Sequence, residues 1–128
     1  MNDSERSVPA GATGARMWQR QGRCPATEAL QTISDKWKAS IIAILADAQG
    51  PVRFSNLQRE LQPVSRKALA EALGDLQADG IVDRQAFAEV PPRVEYSLTE
   101  RGRAFVPILR DLHALQSASI DDEDRLAR

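Results

Sequence analysis

One thiol is the most reactive side chain in this sequence. Cys24 is the only cysteine among 128 residues, which excludes an internal disulfide and a cysteine-rich zinc site. It directly precedes Pro25, a residue suited to the first turn of a helix, and Arg20 and Arg23 are close to it in sequence. A helix N-terminus and nearby cations both favour the thiolate, so Cys24 is a candidate for thiol modification. The alternative is a buried cysteine that packs as a small apolar side chain.

The other polar residues do not form a pattern typical of a catalyst. His113 is the one histidine, and it has Asp111 near it but no adjacent nucleophile. The sequence has no metal-spaced cluster and no glycine-rich phosphate loop, and no base is close to Cys24 in sequence. We therefore expect a protein that is not an enzyme and that needs no cofactor.

The most informative cations lie where two short predicted helices meet. The helices are joined by residues 62–64, an arrangement typical of a helix-turn-helix, whose second helix enters the major groove of DNA. Ser65, Arg66 and Lys67 form the first turn of that second helix and are candidates for DNA contact. The alternative is a solvated amphipathic helix with an ion pair between Lys67 and Glu71.

Two small residues lie on the same exposed face of this helix. The apolar stripe of Leu69, Leu73 and Leu76 faces inward, which places Ala70 and Gly74 on the opposite side. A glycine in a helix interior costs about 1 kcal/mol relative to alanine. Close approach of the helix backbone to base edges or phosphates is a reason to keep both residues small.

Further candidates for DNA contact lie outside this helix. Arg93 follows two prolines at the tip of a predicted hairpin, where a cation can enter the minor groove or bind phosphate; the alternative is an ion pair with Glu95. Arg53 is also expected at a contact point. Ser55 and Asn56 open the first helix of the pair, whose free N–H groups could bind a phosphate, although both residues could equally act only as caps.

The predicted elements follow one order along the chain: helix, helix, short strand, helix, helix, hairpin, helix. Ser55, Ser65 and Thr99 are good N-caps for the last three helices, and Pro107 is expected to kink the last one. The fold class is therefore mainly α with a small β-hairpin (α+β). We predict a winged helix-turn-helix with additional N- and C-terminal dimerisation helices.

The last helix presents a broad apolar stripe that a small winged-helix core need not bury completely. Pairing with the first helix and with a second chain would cover the surplus. Trp37 and Phe105 could line an effector pocket. Aromatic residues at helical spacing, however, more often belong to a core. The predicted dimer interface consists of Leu30, Phe105, Ile108, Leu109, Leu112 and Leu115.

Composition limits the class of protein. With 17 Lys and Arg against 18 Asp and Glu, the net charge is −1, so non-specific DNA affinity should be modest and specificity must depend on a few placed cations. No apolar run approaches the roughly 20 residues of a membrane span, and no secretory signal precedes the domain. We expect a cytoplasmic protein with a flexible tail at residues 1–16, one domain at 17–117 and an acidic tail at 118–128.

Five blocks of sequence resemble the signature of the HxlR-type regulators, a family of bacterial winged-helix transcription factors. They are Cys24-Pro25, Lys36-Trp37-Lys38, RFSNL at 53–57, LQADG at 76–80 and EVPPRVEYSLT at 89–99. The resemblance implies a homodimer on a pseudo-palindromic operator, with contacts from residues 65–67 and near Arg93. It also implies that Cys24 senses quinones, aldehydes or oxidants. Residues 63–69 (PVSRKAL) depart from the family's usual run, so the operator sequence does not transfer.

Together these observations predict a dimeric regulator that binds double-stranded DNA. Thiol modification of Cys24 or a small-molecule effector is the expected signal. The alternative is a winged-helix module that binds other proteins and not a specific DNA sequence, for which Glu71 and the low net charge are the only support.

Overall fold

The structure, a computed structural model, describes residues 24–127, apart from the side chains at positions 122 and 127. The predicted tail at 1–16 and the cations Arg20 and Arg23 lie outside these residues. The chain divides after Ser34 into two units, which are described separately below.

The first unit contributes one described helix, α1 (Pro25–Ile33). Cys24 is its N-cap, with an extended backbone (φ −110°, ψ 122°), and Pro25 occupies the first turn as predicted. The carbonyl of Cys24 accepts a hydrogen bond from the Glu28 N–H at 3.0 Å. Ile33 is buried, whereas Leu30 remains 49% exposed.

The second unit begins with α2 (Lys38–Asp47), which provides the first layer of its core. The Asp35 carboxylate accepts a hydrogen bond from the Trp37 N–H at 2.6 Å just before the helix. Ile41 and Ile42 are completely buried. Leu45 is also buried, and Ile44 is half-buried.

The helix-turn-helix consists of α3 (Phe54–Glu60) and α4 (Arg66–Ala78), and α3 directly follows the short strand β1 (Val52–Arg53). Ser65 caps α4 as predicted, and its hydroxyl accepts from the Ala68 N–H at 3.0 Å. The prediction that Ser55 caps α3 is wrong. Arg53 is the N-cap, without a side-chain hydrogen bond, because its extended backbone belongs to the strand and the helix begins immediately after it.

The wing is an antiparallel hairpin of β2 (Val82–Phe87) and β3 (Arg93–Leu98), and β1 adds to it in the order β1-β3-β2. Tyr96 pairs with Val52 on one side and with Arg84 on the other. Gly80 makes the turn from α4 into β2 with a positive φ of 75°, a conformation that glycine adopts without steric cost.

The last helix, α5 (Glu100–Ala127), begins at the predicted cap. The Thr99 hydroxyl accepts from the Gly102 N–H at 2.9 Å and donates to the Gly80 carbonyl at 2.6 Å. The helix continues through Pro107 and past residue 117, the predicted end of the domain, to Ala127. Ile120 and Leu126 in this last part of the helix are exposed.

These elements enclose one apolar core in the second unit. No helix within residues 24–127 is both long and apolar enough to cross a bilayer. The predicted winged helix-turn-helix is confirmed. The buried apolar residues of this unit are Ile41, Ile42, Leu45, Leu57, Leu61, Val64, Leu69, Ala72, Leu73, Leu76, Ile81, Val82, Tyr96, Leu98 and Phe105.

Candidate nucleic-acid interface

The outward face of α4 has the composition that the sequence predicted. Leu69, Leu73 and Leu76 are buried, and Arg66 and Lys67 are exposed on the first turn. No ion pair joins Lys67 to Glu71 among the described residues, so the local pairing that would have explained these charges is not formed. The face is therefore available for a partner.

Among the described residues, the two small residues on this face have no close packing partners at their side-chain positions. A Cβ atom placed on Gly74 would have no neighbour within 4 Å, and Ala70 is exposed. Within the part of the chain that the structure describes, no neighbour requires a glycine at position 74, although glycine lowers the stability of the helix there. This arrangement leaves the α4 backbone open to close approach from outside.

A cavity of about 540 Å³ opens between the start of α4 and the wing. Four arginines and one glutamate line it, so the cavity is strongly cationic even though the chain as a whole is nearly neutral. Its lining residues are Arg53, Phe54, Ser55, Arg66, Ala70, Arg84, Glu89, Pro91, Pro92, Arg93, Val94 and Tyr96.

Aromatic rings position one of these arginines. The Arg66 guanidinium lies over the Phe54 ring, 5.1 Å from its centroid. Phe54 in turn packs against Tyr96, with the ring centroids 6.5 Å apart and tilted by 49°. A stacked guanidinium keeps its planar fork of N–H donors pointing away from the ring edge, where it can bind phosphate or a base.

Arg93 is bound within the wing. Its guanidinium forms ion pairs with Glu89 at 2.8 Å and with Glu95 at 3.3 Å, and it lies 3.9 Å from the Phe87 ring centroid. Only 26% of its side chain is exposed, and its Nε is buried without a hydrogen-bond partner. The alternative named from the sequence, the pair with Glu95, is therefore formed, and Glu89 is added to it.

The remaining candidates separate into two groups. Arg53 and Ser55 are exposed and line the cavity. Asn56, which is half-buried, and Lys67, which is exposed, do not line the cavity. Sequence reasoning missed Arg84, which is exposed and also lines the cavity. The sequence pattern that could have identified Arg84 is the period-2 alternation of β2, which places Arg84 on the same face as buried Val82.

An ion pair connects α4 to α2. Lys38 Nζ lies 3.3 Å from the Asp75 carboxylate, and the lysine side chain is only 11% exposed. Asp75 is on α4 and its side chain is 64% exposed, so this contact joins the two helices at the protein surface. The sequence did not predict it, because the two residues are 37 positions apart and only the tertiary fold brings them together.

Comparison with known proteins agrees with this geometry. The family model described as HxlR-like helix-turn-helix matches residues 32–124. The chain belongs to the HxlR-like helix-turn-helix family. An uncharacterised HTH-type transcriptional regulator of Methanothermobacter thermautotrophicus is 36% identical over 80% of this chain and 79% of its own length. Another from Halalkalibacterium halodurans is 45% identical over 65% of this chain and 73% of its own length.

Solved structures of other regulators share the fold of this chain. The redox regulator HypR in its reduced form has a TM-score of 0.72 and 35% identity, covering 79% of this chain and 98% of its own. The reduced form of the transcriptional regulator YodB from B. subtilis has a TM-score of 0.62 and 36% identity, covering 72% and 89%. The relatives are transcriptional regulators and not enzymes, as the sequence predicted.

The residues predicted at the dimer interface of this HxlR-like chain do not all reach the surface. Ile108 and Leu112 on α5 are 49% and 41% exposed, Leu115 is 67% exposed, and Leu109 is half-buried. The expectation for Phe105 is wrong: it is 6% exposed, because it packs into the core of its own chain.

The last two candidates from the sequence are the thiol of Cys24 and the imidazole of His113. Cys24 is free and half-buried, at the start of α1 as predicted. His113 is exposed, with its Nε2 3.4 Å from the Ser117 hydroxyl one turn later. Neither residue lines the cationic cavity.

Proposed function

We propose that this HxlR-like regulator binds a specific operator with the first turn of α4 in the major groove and the wing beside it. One observation carries the proposal: the exposed face of α4 opens into a cavity lined by four arginines. Ser65, Arg66, Lys67 and Ala70 are assigned to the major groove, because a recognition helix contacts base edges with its N-terminal residues.

The residues around α4 are assigned to the phosphate backbone. Arg53, Ser55 and Arg84 line the cavity and are exposed. Asn56 lies in the first turn of α3, where free N–H groups can bind a phosphate. Arg93 has a different role in this proposal. Since its charge is already paired twice, it shapes the wing that contacts DNA and contributes little charge of its own.

The same proposal includes a homodimer on a pseudo-palindromic operator. The exposed apolar residues of α5 are a surface that a second chain would cover, and Leu30 on α1 is a separate candidate for contact with that chain. Two-fold symmetry then places two recognition helices about 34 Å or a multiple of it apart, which sets the half-site spacing. Because its target is chromosomal DNA, the proposal places the protein in the cytoplasm.

The test is a salt titration of binding to the DNA upstream of the protein's own gene. We expect nanomolar-range affinity that falls steeply as salt rises, and a shuffled duplex should bind at least about a thousandfold more weakly. Equal affinity for both duplexes would overturn the regulator proposal. It would support instead a winged-helix module that binds proteins.

We further propose that oxidation of Cys24 changes operator affinity. Support comes from two structural neighbours described as a redox regulator and as a regulator in its reduced form, and from the position of Cys24 at a helix N-terminus. With diamide, two thiols lose two electrons and two protons to form a disulfide, and diamide is reduced to the hydrazine. One cysteine per chain means that the second thiol comes from another chain or from glutathione.

The matched variant for this second proposal is Cys24→Ser. We expect diamide with glutathione to change the operator affinity of the wild type at least about fivefold, a free-energy change of roughly 1 kcal/mol, and to leave Cys24→Ser unchanged. Mass spectrometry of the wild type should show one added glutathione or a disulfide-linked dimer. Modified wild-type protein that binds as the reduced form does would overturn the switch and leave the regulator proposal intact.

A further inference from the structure

A second cavity lies between the C-terminal end of α2, the loop into β1, the end of β3 and α5. It measures about 540 Å³, within the roughly 300–1,000 Å³ typical of small-molecule sites. Polar and apolar surface line it in similar amounts. The apolar part includes Leu45, Leu98 and Val106, and two cations, Arg103 and Arg110, belong to the polar part. None of its lining residues is Asp or Glu.

The two arginines have charge that the chain itself does not compensate. Within the part of the chain that the structure describes, neither Arg103 nor Arg110 forms an ion pair. Arg103 donates one hydrogen bond, from Nη1 to the Leu98 carbonyl at 3.1 Å, so its guanidinium is held at the end of β3 with other donors unused. The residues are seven positions apart on α5, which places them on one face of the helix.

We propose that this cavity binds a small organic carboxylate with an apolar body. The apolar body packs on Leu45, Leu98 and Val106, and the carboxylate accepts hydrogen bonds from Arg110 and from the unused donors of Arg103. Charge-assisted bonds of this kind are about twice as strong as neutral ones, and an arginine fork matches a carboxylate in geometry. No carboxylate lines the cavity itself, and the nearest one named in the adjoining surface, Asp47, lies beside Arg110.

The cavity also contains the carbonyl end of α2, which carries partial negative charge. Arginines that served only to neutralise this helix end would stabilise the fold and would not bind an added anion. The two roles therefore differ in what a substitution changes: the neutralising role changes the melting temperature, and the binding role changes ligand affinity.

The experiment measures ligand binding to the full chain by calorimetry, without DNA. The probes are phenylacetate, 4-phenylbutyrate and octanoate, each compared with its neutral amide. We expect at least one acid to bind saturably and at least about tenfold tighter than its amide. Arg110→Gln should weaken the acid about tenfold or more, while Arg59→Gln, which removes the same charge from an exposed position on α3 outside the cavity, should bind like the wild type.

Three results would overturn the proposal. The first is the absence of saturable binding for all three acids. The second is equal affinity for an acid and its amide, and the third is an equal effect of Arg110→Gln and Arg59→Gln on the acid. A lowered melting temperature of Arg110→Gln without anion binding would assign the arginine to the carbonyl end of α2. Because DNA is absent, each result is independent of the regulator proposal.

Discussion

The guanidinium of Arg66 lies 5.1 Å from the centroid of the Phe54 ring. Arg66 is the first residue of α4 and Phe54 is the first residue of α3, so this contact joins the starts of the two helices of the helix-turn-helix. Phe54 also packs against Tyr96 on β3. A cation proposed to contact DNA is therefore positioned by both the preceding helix and the wing.

The stacked position of Arg66 predicts different results for two substitutions. Arg66→Ala should lower operator affinity by about 1–3 kcal/mol. Arg66→Lys should recover part of that loss on any duplex, because it keeps the charge, but not the sequence preference, because an ammonium lacks the planar fork. Fluorescence anisotropy with operator and shuffled duplexes measures both the affinity for any duplex and the preference for the operator sequence. Wild-type affinity in both variants would remove Arg66 from the interface.

Arg93 and Arg84 both line the cationic cavity but should behave differently when replaced by alanine. Arg93→Ala removes two ion pairs and a ring contact, and should lower the free energy of unfolding by about 1–3 kcal/mol. Because its charge is already paired, the salt dependence of DNA binding should change little. Hydrogen exchange should increase in β2 and β3.

Arg84→Ala is the matched control for the wing. Its side chain is exposed, without an ion pair among the described residues, so its stability should stay within about 0.5 kcal/mol of the wild type. If Arg84 binds a phosphate, its removal should reduce the slope of log K against log salt by about 1. A reduced slope in Arg93→Ala and an unchanged slope in Arg84→Ala would reverse the two assignments.

Gly74→Ala tests whether the α4 backbone comes close to DNA. Nothing lies within 4 Å of the added Cβ, so the substitution should raise the free energy of unfolding by about 1 kcal/mol through helix propensity alone. Operator affinity should nevertheless fall, because the added methyl group lies between the helix and the groove. A variant that is more stable and binds DNA equally well would show that position 74 does not contact DNA.

The same substitution at Gly102 should have the opposite effect on stability. A Cβ atom there would lie 2.2 Å from the Ile81 carbonyl oxygen, a backbone atom that cannot move without disturbing the start of β2. We expect Gly102→Ala to lower the free energy of unfolding by about 1–3 kcal/mol or more. Urea denaturation of Gly102→Ala beside Gly74→Ala measures this difference in sign, and equal stability of the two variants would contradict it.

Local sequence signals predicted the elements of this fold, and tertiary contacts determined the rest. Ser65 and Thr99 cap their helices as predicted because capping involves residues three positions apart. The cap expected at Ser55 failed because β1 pairs with β3, which keeps Arg53 extended. The burial of Phe105 likewise depends on how α5 packs, and its apolar type could not show which surface would cover it.

In the candidate interface, too, the sequence predicted the features that depend on local periodicity and not those that depend on tertiary contacts. Helical periodicity was sufficient to place Arg66, Lys67 and Ala70 on one face, since that requires only 100° steps. The ion pairs of Arg93 involve Glu89 across the hairpin loop, whose geometry a sequence pattern does not specify. Arg84 was missed because a single exposed cation on a strand resembles ordinary solvated surface. Only the fold pairs it with Tyr96 and brings it to the same cavity as Arg66.

The apolar stripe on α5 predicts an obligate role for dimerisation in DNA binding. Leu112→Glu places a charge in the centre of the proposed interface in both chains, so dimer affinity should fall at least about a hundredfold, from lost apolar burial and desolvation of the charge. Ala114→Glu adds the same charge at an exposed position of α5 away from Ile108 and Leu115, and should remain dimeric. Sedimentation equilibrium at micromolar concentration distinguishes these variants.

The dimer prediction connects to operator binding through the number of phosphates contacted. A monomer engages one half-site, so the slope of log K against log salt for Leu112→Glu should fall to about half of the wild-type value. Ala114→Glu should keep the full slope. A monomeric wild type at micromolar concentration would overturn the interface on α5, and a dimeric Leu112→Glu would move it to another surface, because an unpaired charge is not tolerated at the centre of an apolar contact.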